Sequence, residues 1–160
     1  MKLLKVVVVL LIGLSSTVSV QAKSTASDEA QIEALFVSYM NKYNQYISEE
    51  QFDNNIKLYH DNVMLVSNGS GQSVATADQM DAQVQRFLGS LKSQGVASVK
   101  WESVNITQLD TKLALVQNVA VRFDKAGEVF NRVGATYLVQ NGDSGWRIAA
   151  FTVHKPEFTQ

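Results

Sequence analysis

Hydrophobic residues in the first half of the chain recur at the spacing of a helix. Between residues 28 and 47 they are separated by three, four or seven positions: Ile32, Leu35, Phe36, Tyr39, Tyr43, Tyr46 and Ile47. This spacing predicts a long amphipathic helix, with Ser27 as its N-cap. Capping boxes at residues 48–51 and 76–79 predict two further helices, a short one carrying Phe52, Ile56 and Tyr59 and one that ends at Gly95.

The second half of the chain alternates between apolar and polar residues, as strands do. A short strand is predicted at 63–66, and four long strands at about 97–108, 112–123, 128–140 and 145–154, separated by turn-forming residues. Three helices followed by a meander of strands predict an α+β domain, in which the helices lie on one face of an antiparallel sheet.

The turn around Lys125 and Ala126 predicts the register of the central hairpin. If Phe123 lies opposite Glu128, one face carries Leu115, Gln117, Val119, Val121, Phe130, Arg132, Gly134 and Thr136. The other face carries Val116, Ala120, Val133, Ala135, Tyr137 and Val139. We expect the first set to face inward. Because the second set is also apolar and needs cover, we expect a homodimer that forms through this outer sheet face.

The last hairpin admits two registers. Pairing Leu138 with Ile148 directs Thr152 and His154 to the predicted inner face and places His154 across from Arg132. A slip of one residue directs His154 to the other face.

The N-terminus has the three parts of a secretory signal. Lys2 and Lys5 precede an apolar run from Val6 to Leu14, and Val20-Gln21-Ala22 before Lys23 is a small-x-small cleavage signature. Residues 1–22 are therefore predicted to be a cleaved signal peptide of a periplasmic or secreted protein, although an uncleaved anchor is the alternative. Residues 23–27 form a short flexible lead-in and residues 157–160 a C-terminal tail. The chain has no cysteine, which excludes a lipidated cysteine anchor and disulfides.

Charge and length limit the function further. Without the signal peptide, 12 basic and 15 acidic residues give a net charge of −3, which is not the balance of a nucleic-acid-binding protein. The two histidines do not form a metal-ligand set. We therefore expect neither a metal nor a cofactor, and about 138 mature residues suit one domain.

Three segments resemble the nuclear transport factor 2-like superfamily, especially its SnoaL-like branch, over residues 28–156. They are Leu58-Tyr59-His60-Asp61-Asn62-Val63, Arg122-Phe123-Asp124-Lys125-Ala126-Gly127-Glu128-Val129 and Gly145-Trp146-Arg147-Ile148. The resemblance implies a cone-shaped, curved antiparallel sheet wrapped by three N-terminal helices, the cystatin-like α+β roll. It also implies a pocket between helices and sheet and dimerisation through the sheet. The superfamily contains isomerases, dehydratases, cyclases and non-catalytic binding proteins, so fold does not give function.

The enzymatic positions that this resemblance implies are not filled by suitable residues. The base of the ketosteroid isomerases corresponds to Ser67, and the acid of their oxyanion hole corresponds to Val119. Neither side chain performs that chemistry. The histidine that many SnoaL-like chains carry after the tryptophan is Thr152 here, which leaves His154 and Tyr39 as the remaining catalytic candidates.

The predicted pocket has one arginine and several hydrogen-bonding side chains. The expected ligand-binding residues are Arg132, His154, Gln117, Tyr39, Tyr43, Thr136, Thr152 and Trp101. An inward arginine needs an anion, which is either a ligand or an acid of the helical layer such as Asp61. We expect a non-catalytic binding domain for a small, largely apolar molecule, either neutral or anionic. The alternatives are a lyase or isomerase that uses a pocket tyrosine and His154, and an accessory protein-interaction module with a vestigial pocket.

Overall fold

The computed structural model describes residues 21–67, 69 and 71–156, and side chains from residue 27 onward. The predicted signal peptide therefore falls almost wholly outside the described residues, and the predicted tail falls wholly outside them. The elements are α1 (Gln21–Glu49), β1 (Tyr59–Ser67), β2 (Gly71–Thr76), α2 (Ala77–Ser93), β3 (Val96–Gln108), β4 (Leu113–Asp124), β5 (Val129–Gly142) and β6 (Gly145–His154). In the described part of the chain, no helix is long and apolar enough to cross a membrane.

The first predicted helix is present as α1, and its apolar stripe is buried against the sheet. Ile32 and Phe36 are almost completely inaccessible to solvent, as is Ile47 near the end of the helix. Ser27 lies inside this helix, so the prediction that Ser27 is its N-cap was wrong.

The predicted second helix is absent, and the described residues contain two helices instead of three. Helix α1 ends where Glu50 adopts a positive φ of 59°, and residues 50–58 form an irregular segment. The Asp53 carboxylate accepts a hydrogen bond from the Asn55 amide at 2.8 Å, and the Lys42 ammonium donates to the Ile56 carbonyl at 3.0 Å. The predicted cap residue, Ser48, lies inside α1, where its hydroxyl donates to the Asn44 carbonyl at 2.8 Å and does not start a second helix.

Helix α2 begins at the predicted capping box. The Thr76 hydroxyl accepts a hydrogen bond from the Gln79 amide at 3.3 Å, and the Gln79 side chain accepts one from the Thr76 amide at 3.0 Å. Gly95, with a φ of 100°, follows the end of the helix, as predicted. The buried side of α2 faces the sheet and α1 through Val84, Leu88 and other apolar residues.

The sheet has six strands in the order β2-β1-β6-β5-β4-β3, and both helices pack on the same face of it. Strands β1 and β6 pair in parallel, whereas all other neighbours are antiparallel. The sheet is therefore mixed, which corrects the prediction of a wholly antiparallel sheet.

The register of the central hairpin differs from the predicted one by two residues. Phe123 pairs with Val129, Phe130 is an extra residue, and Arg122 pairs with Asn131. The cause is the turn, in which the Asp124 carboxylate accepts hydrogen bonds from the amides of residues 126 and 128 at 2.8 and 3.0 Å. This wider turn and the bulge after it shift every later pair along the two strands.

The last hairpin also contains a bulge. Val139 pairs with Ile148 and Leu138 with Ala150, so Ala149 is the extra residue. Trp146 and Ile148 are buried as predicted, but the alternation reverses after the bulge. His154 consequently lies opposite Gly134 and not opposite Arg132.

The face of the sheet that meets the helices is the opposite of the predicted one. Ala120, Val133, Ala135 and Tyr137 point toward the helices, so Gln117, Arg132, Gly134 and Thr136 lie on the outer face. Burying the more apolar of two faces removes more hydrocarbon from water and desolvates fewer polar groups, which favours the observed choice.

Candidate functional site

A cavity of about 450 Å³ lies between α1, α2 and the inner face of the sheet. This volume is within the range of small-molecule sites. Its wall is largely apolar and is formed by Met40, Leu65, Met80, Val84, Phe87, Leu91, Val99, Trp101, Ala120, Val133, Ala135, Phe151 and Val153. Phe87 and Val153 are also partly exposed, so they mark the rim of the cavity.

Three tyrosines and the side chain of Gln83 form the uncharged polar part of the wall. The Tyr137 hydroxyl donates to the Tyr39 hydroxyl at 3.4 Å, and the Tyr39 hydroxyl donates to the Tyr43 hydroxyl at 2.6 Å. Burial raises the pKa of all three phenols well above the ordinary value, chiefly by penalising their charged forms. They are neutral hydrogen-bonding groups at physiological pH and are not bases.

Of the eight predicted ligand-binding residues, the structure places Tyr39, Tyr43 and Trp101 at the cavity. The Trp101 indole donates to the Phe36 carbonyl at 3.0 Å, which fixes its ring against α1 and exposes its face to the cavity.

Arg122 contributes the charge of the cavity wall. Its guanidinium lies 5.2 Å from the centre of the Phe87 ring and donates to the Asn131 side chain at 3.4 Å. Partial burial lowers the pKa of Arg122, but an arginine keeps its charge in a protein. Among the described residues no carboxylate pairs with this guanidinium.

Sequence reasoning missed Arg122 because it assigned the inner face to the wrong set of strand residues. The signal was present: the set that includes Ala120, Ala135 and Tyr137 is the more apolar one, and Arg122 belongs to it by alternation.

The other predicted ligand-binding residues lie outside the cavity, on the outer face of the sheet. Arg132 donates to the Glu102 carboxylate at 3.1 Å, so its partner is Glu102 and not Asp61. Gln117 is exposed. Thr152 pairs with Thr136, whose hydroxyl lies 3.0 Å from Nε2 of His154.

The side chains that sequence reasoning assigned to catalysis do not meet in the cavity. Val119 belongs to the outer face, and the Ser67 hydroxyl donates to the Gly71 carbonyl at 3.3 Å at the end of β1. His154 also lies outside. Within the described part of the chain, the cavity wall contains no His, Asp, Glu or Lys, so Tyr39 has no base beside it.

A two-helix, six-strand roll with an internal cavity defines a known class of α+β domain. The family model described as NTF2-like protein (DUF6841) matches residues 28–156, and the chain belongs to this family. The predicted superfamily is thereby confirmed. No curated protein sequence matches the chain.

Solved structures support the same fold. An NTF2-like protein with a cystatin-like fold from Novosphingobium aromaticivorans is similar at a TM-score of 0.68 and 13% identity, over 92% of this chain and 94% of that one. Hexachlorocyclohexane dehydrochlorinase LinA-type3 from Novosphingobium barchaimii is similar at 0.60 and 8%, over 87% and 93%. A ketosteroid isomerase-like protein from Erwinia carotovora atroseptica is similar at 0.54 and 20%, over 80% and 95%. At these identities the likeness shows the fold alone.

Proposed function

We propose that this protein binds a small, largely apolar anion in the cavity and that Arg122 anchors the anionic group. The observation that carries the proposal is the Arg122 guanidinium, a cation on an apolar wall without a carboxylate partner among the described residues. A partly desolvated charge is stabilised when an opposite charge approaches it, and a guanidinium can bind a carboxylate through two parallel hydrogen bonds.

The composition of the wall supports binding more than catalysis. Proton abstraction needs a base whose pKa is near the working pH, whereas Tyr39 and Tyr43 have pKa values raised by burial. The enzyme alternative required His154 together with a pocket tyrosine, and the sheet now separates these groups. The open cavity also argues against a vestigial pocket.

Two dyes that share one aromatic framework test the anchor. 1-Anilinonaphthalene-8-sulfonate is an apolar anion, and N-phenyl-1-naphthylamine is the same molecule without the sulfonate. Arg122→Gln is expected to weaken binding of the anionic dye about 10- to 100-fold, the usual effect of losing a charged hydrogen bond, and to leave binding of the neutral dye nearly unchanged. Fluorescence titration measures both affinities.

Arg132→Gln is the matched control because it removes the same group from the outer face, and neither affinity should change. Ala135→Phe is expected to fill the cavity and to abolish binding of both dyes. The proposal would be contradicted if Arg122→Gln weakened the binding of both dyes equally, or if Ala135→Phe still bound both dyes with unchanged affinity.

We further propose that the protein is exported and that two copies associate through the outer face of the sheet. The signal-like N-terminus supports export. The outer face supports association because it combines half-buried Leu115, Val119 and Leu138 with Phe130, which is 40% exposed. The oppositely charged pair Glu102 and Arg132 on the same face could also pair across a two-fold axis.

A further inference from the structure

The mouth of the cavity lies where α2 leaves the sheet uncovered. Helix α2 packs mainly against α1 and strands β1, β2 and β3. Its residues Gln83 and Phe87 line the cavity together with Arg122, near the end of β4, and Val153, near the end of β6. Phe87 is 42% exposed, Val153 is 47% exposed and Gln83 is also exposed. These side chains therefore surround an opening to solvent between α2 and the ends of the two strands.

Arg122 holds its charge at this mouth. Its guanidinium lies 5.2 Å from the centre of the Phe87 ring, and Phe87 is a rim residue. Arg122 itself is half-buried, so part of its side chain stays accessible from the opening. An anion that binds this guanidinium therefore lies at the mouth of the cavity and not at its closed end.

Gln83 adds an uncharged donor beside this charge. It precedes Phe87 by four residues on α2, and residues at this spacing are neighbours on one side of a helix. The amide of Gln83 is therefore close to the ring that contacts Arg122. A carboxylate has about four sites that accept hydrogen bonds, so it can bind the guanidinium through two of them and still accept an N–H of this amide.

The wall beyond the mouth is buried and carries no charge. Tyr39, Tyr43, Tyr137, Met80 and Val84 line this part of the cavity, and all five are buried. Arg122 is the single charged residue among the described residues of the wall. A charge that enters the buried part loses its hydration and meets no opposite charge, which is strongly unfavourable. The buried part therefore suits the apolar portion of a ligand.

We propose that the ligand is an apolar carboxylic acid that enters with its apolar end first and keeps its carboxylate at the mouth, between Arg122 and Gln83. This inference rests on the proposed function and adds the orientation of the ligand and the class of its anionic group. Because the carboxylate lies at an opening, the site admits acids whose polar part extends outward, such as N-acyl amino acids. It excludes acids that carry a second charge at the apolar end.

Four probes that share one naphthalene ring test the orientation with the intact protein: 2-naphthoate, 2,6-naphthalenedicarboxylate, its monomethyl ester and N-(2-naphthoyl)glycine. Displacement of 1-anilinonaphthalene-8-sulfonate measures their affinities. The dicarboxylate is expected to bind at least about tenfold more weakly than its monomethyl ester, because the two have nearly the same shape and only the dicarboxylate must bury a second charge. N-(2-naphthoyl)glycine is expected to bind within about threefold of 2-naphthoate, because its additional amide unit lies in the open mouth.

The opposite orientation gives the opposite pattern. With the carboxylate inside and the apolar end at the mouth, the second carboxylate of the diacid would stay in water, and the glycine unit would be forced into the closed part of the cavity. The orientation is therefore overturned if the dicarboxylate binds as tightly as its monomethyl ester, or if the glycine conjugate binds more than about tenfold more weakly than 2-naphthoate.

Gln83→Glu tests the position of the carboxylate independently of Arg122. It replaces an amide by a negative group of the same shape at the mouth, so 2-naphthoate is expected to bind about tenfold more weakly and N-phenyl-1-naphthylamine with unchanged affinity. Gln85→Glu is the matched control, because it adds the same charge to an exposed position of α2 outside the cavity wall. If both variants bound 2-naphthoate equally well, the placement of the carboxylate beside Gln83 would be overturned.

The outcomes separate the two proposals. If the naphthoate probes do not bind, or bind with the opposite pattern, while binding of the anionic dye still depends on Arg122, the inference is overturned and the proposed function remains. If neither the anionic dye nor 2-naphthoate loses affinity in Arg122→Gln, both proposals fail.

Discussion

At the scale of single residues, His154 illustrates how a candidate catalytic group can be fully used by the fold. Its Nδ1 lies 2.7 Å from the Lys155 carbonyl, which can only accept, so Nδ1 carries the hydrogen. Nε2 lies 3.0 Å from the Thr136 hydroxyl and is hydrogen-bonded to it. Both nitrogens are therefore occupied on the outer face, and the contact of Nε2 with Thr136 joins the end of β6 to β5.

Gly134 makes room for this ring, which leads to the first stability prediction. A Cβ at position 134 would lie 2.6 Å from Cε1 of His154 and 3.0 Å from the Lys155 carbonyl oxygen. Gly134→Ala is therefore expected to destabilise the fold by about 1 to 3 kcal/mol, as overpacking usually does. Urea unfolding of the wild type, Gly134→Ala, His154→Ala and the double variant measures the coupling energy between the two positions. The double variant should be more stable than the sum of the two single effects predicts. Strict additivity would show that the ring does not occupy this space.

At the scale of elements, the periodicity of the sequence predicted the two helices, which depend on local sequence. The strand registers depend on tertiary contacts and were not predicted. The apolar stripe of α1 and the capping box at Thr76 were sufficient to locate both helices. The extra residues Phe130 and Ala149 were not predictable, because a bulge leaves no mark in an alternating pattern and depends on how the neighbouring turn closes. The bulges move the pairing along the strands but leave Arg132, Thr136 and His154 on one common face. These site residues were misplaced because the more polar face was taken as the inner one.

Lys42 joins the two helices through an ion pair and also holds the irregular segment 50–58 through a hydrogen bond. Its loss is therefore expected to lower the free energy of unfolding strongly. Lys42 on α1 is fully buried and bonds Asp81 on α2 at 2.9 Å and the Ile56 carbonyl at 3.0 Å. Lys42→Met leaves a buried carboxylate without its partner and is expected to cost about 3 to 5 kcal/mol of unfolding free energy.

Replacing both members of this pair provides the comparison. Lys42→Met combined with Asp81→Leu removes both charges and should recover most of the loss, because the desolvation penalty disappears with them. Lys92→Met, which breaks the exposed pair with Glu50, should change the urea midpoint little. A Lys42→Met protein as stable as the wild type would show that the pair does not hold these elements together.

At the scale of the whole molecule, the cavity and the outer face serve different purposes. The inner face is divided between packing against α1 and lining the cavity, whereas the outer face has no covering element among the described residues. The half-buried apolar side chains of this face, Leu115, Val119 and Leu138, are stabilised when a second copy excludes water from them. The proposed ligand and the proposed partner copy therefore occupy opposite faces of one sheet and need not compete.

Substitution on the outer face separates assembly from binding. Val119→Lys adds a charge at the centre of the proposed dimer contact and is expected to yield monomers that still bind 1-anilinonaphthalene-8-sulfonate. Val37→Lys is the matched control, because Val37 is 58% exposed on α1, away from the sheet. A Val119→Lys protein that remains dimeric would place the contact elsewhere.

Native mass spectrometry of the protein isolated from the compartment to which it is exported reports the number of subunits, any retained ligand and the mature N-terminus. We expect Lys23 to be the first residue of the mature protein, and an intact Met1 would argue against cleavage.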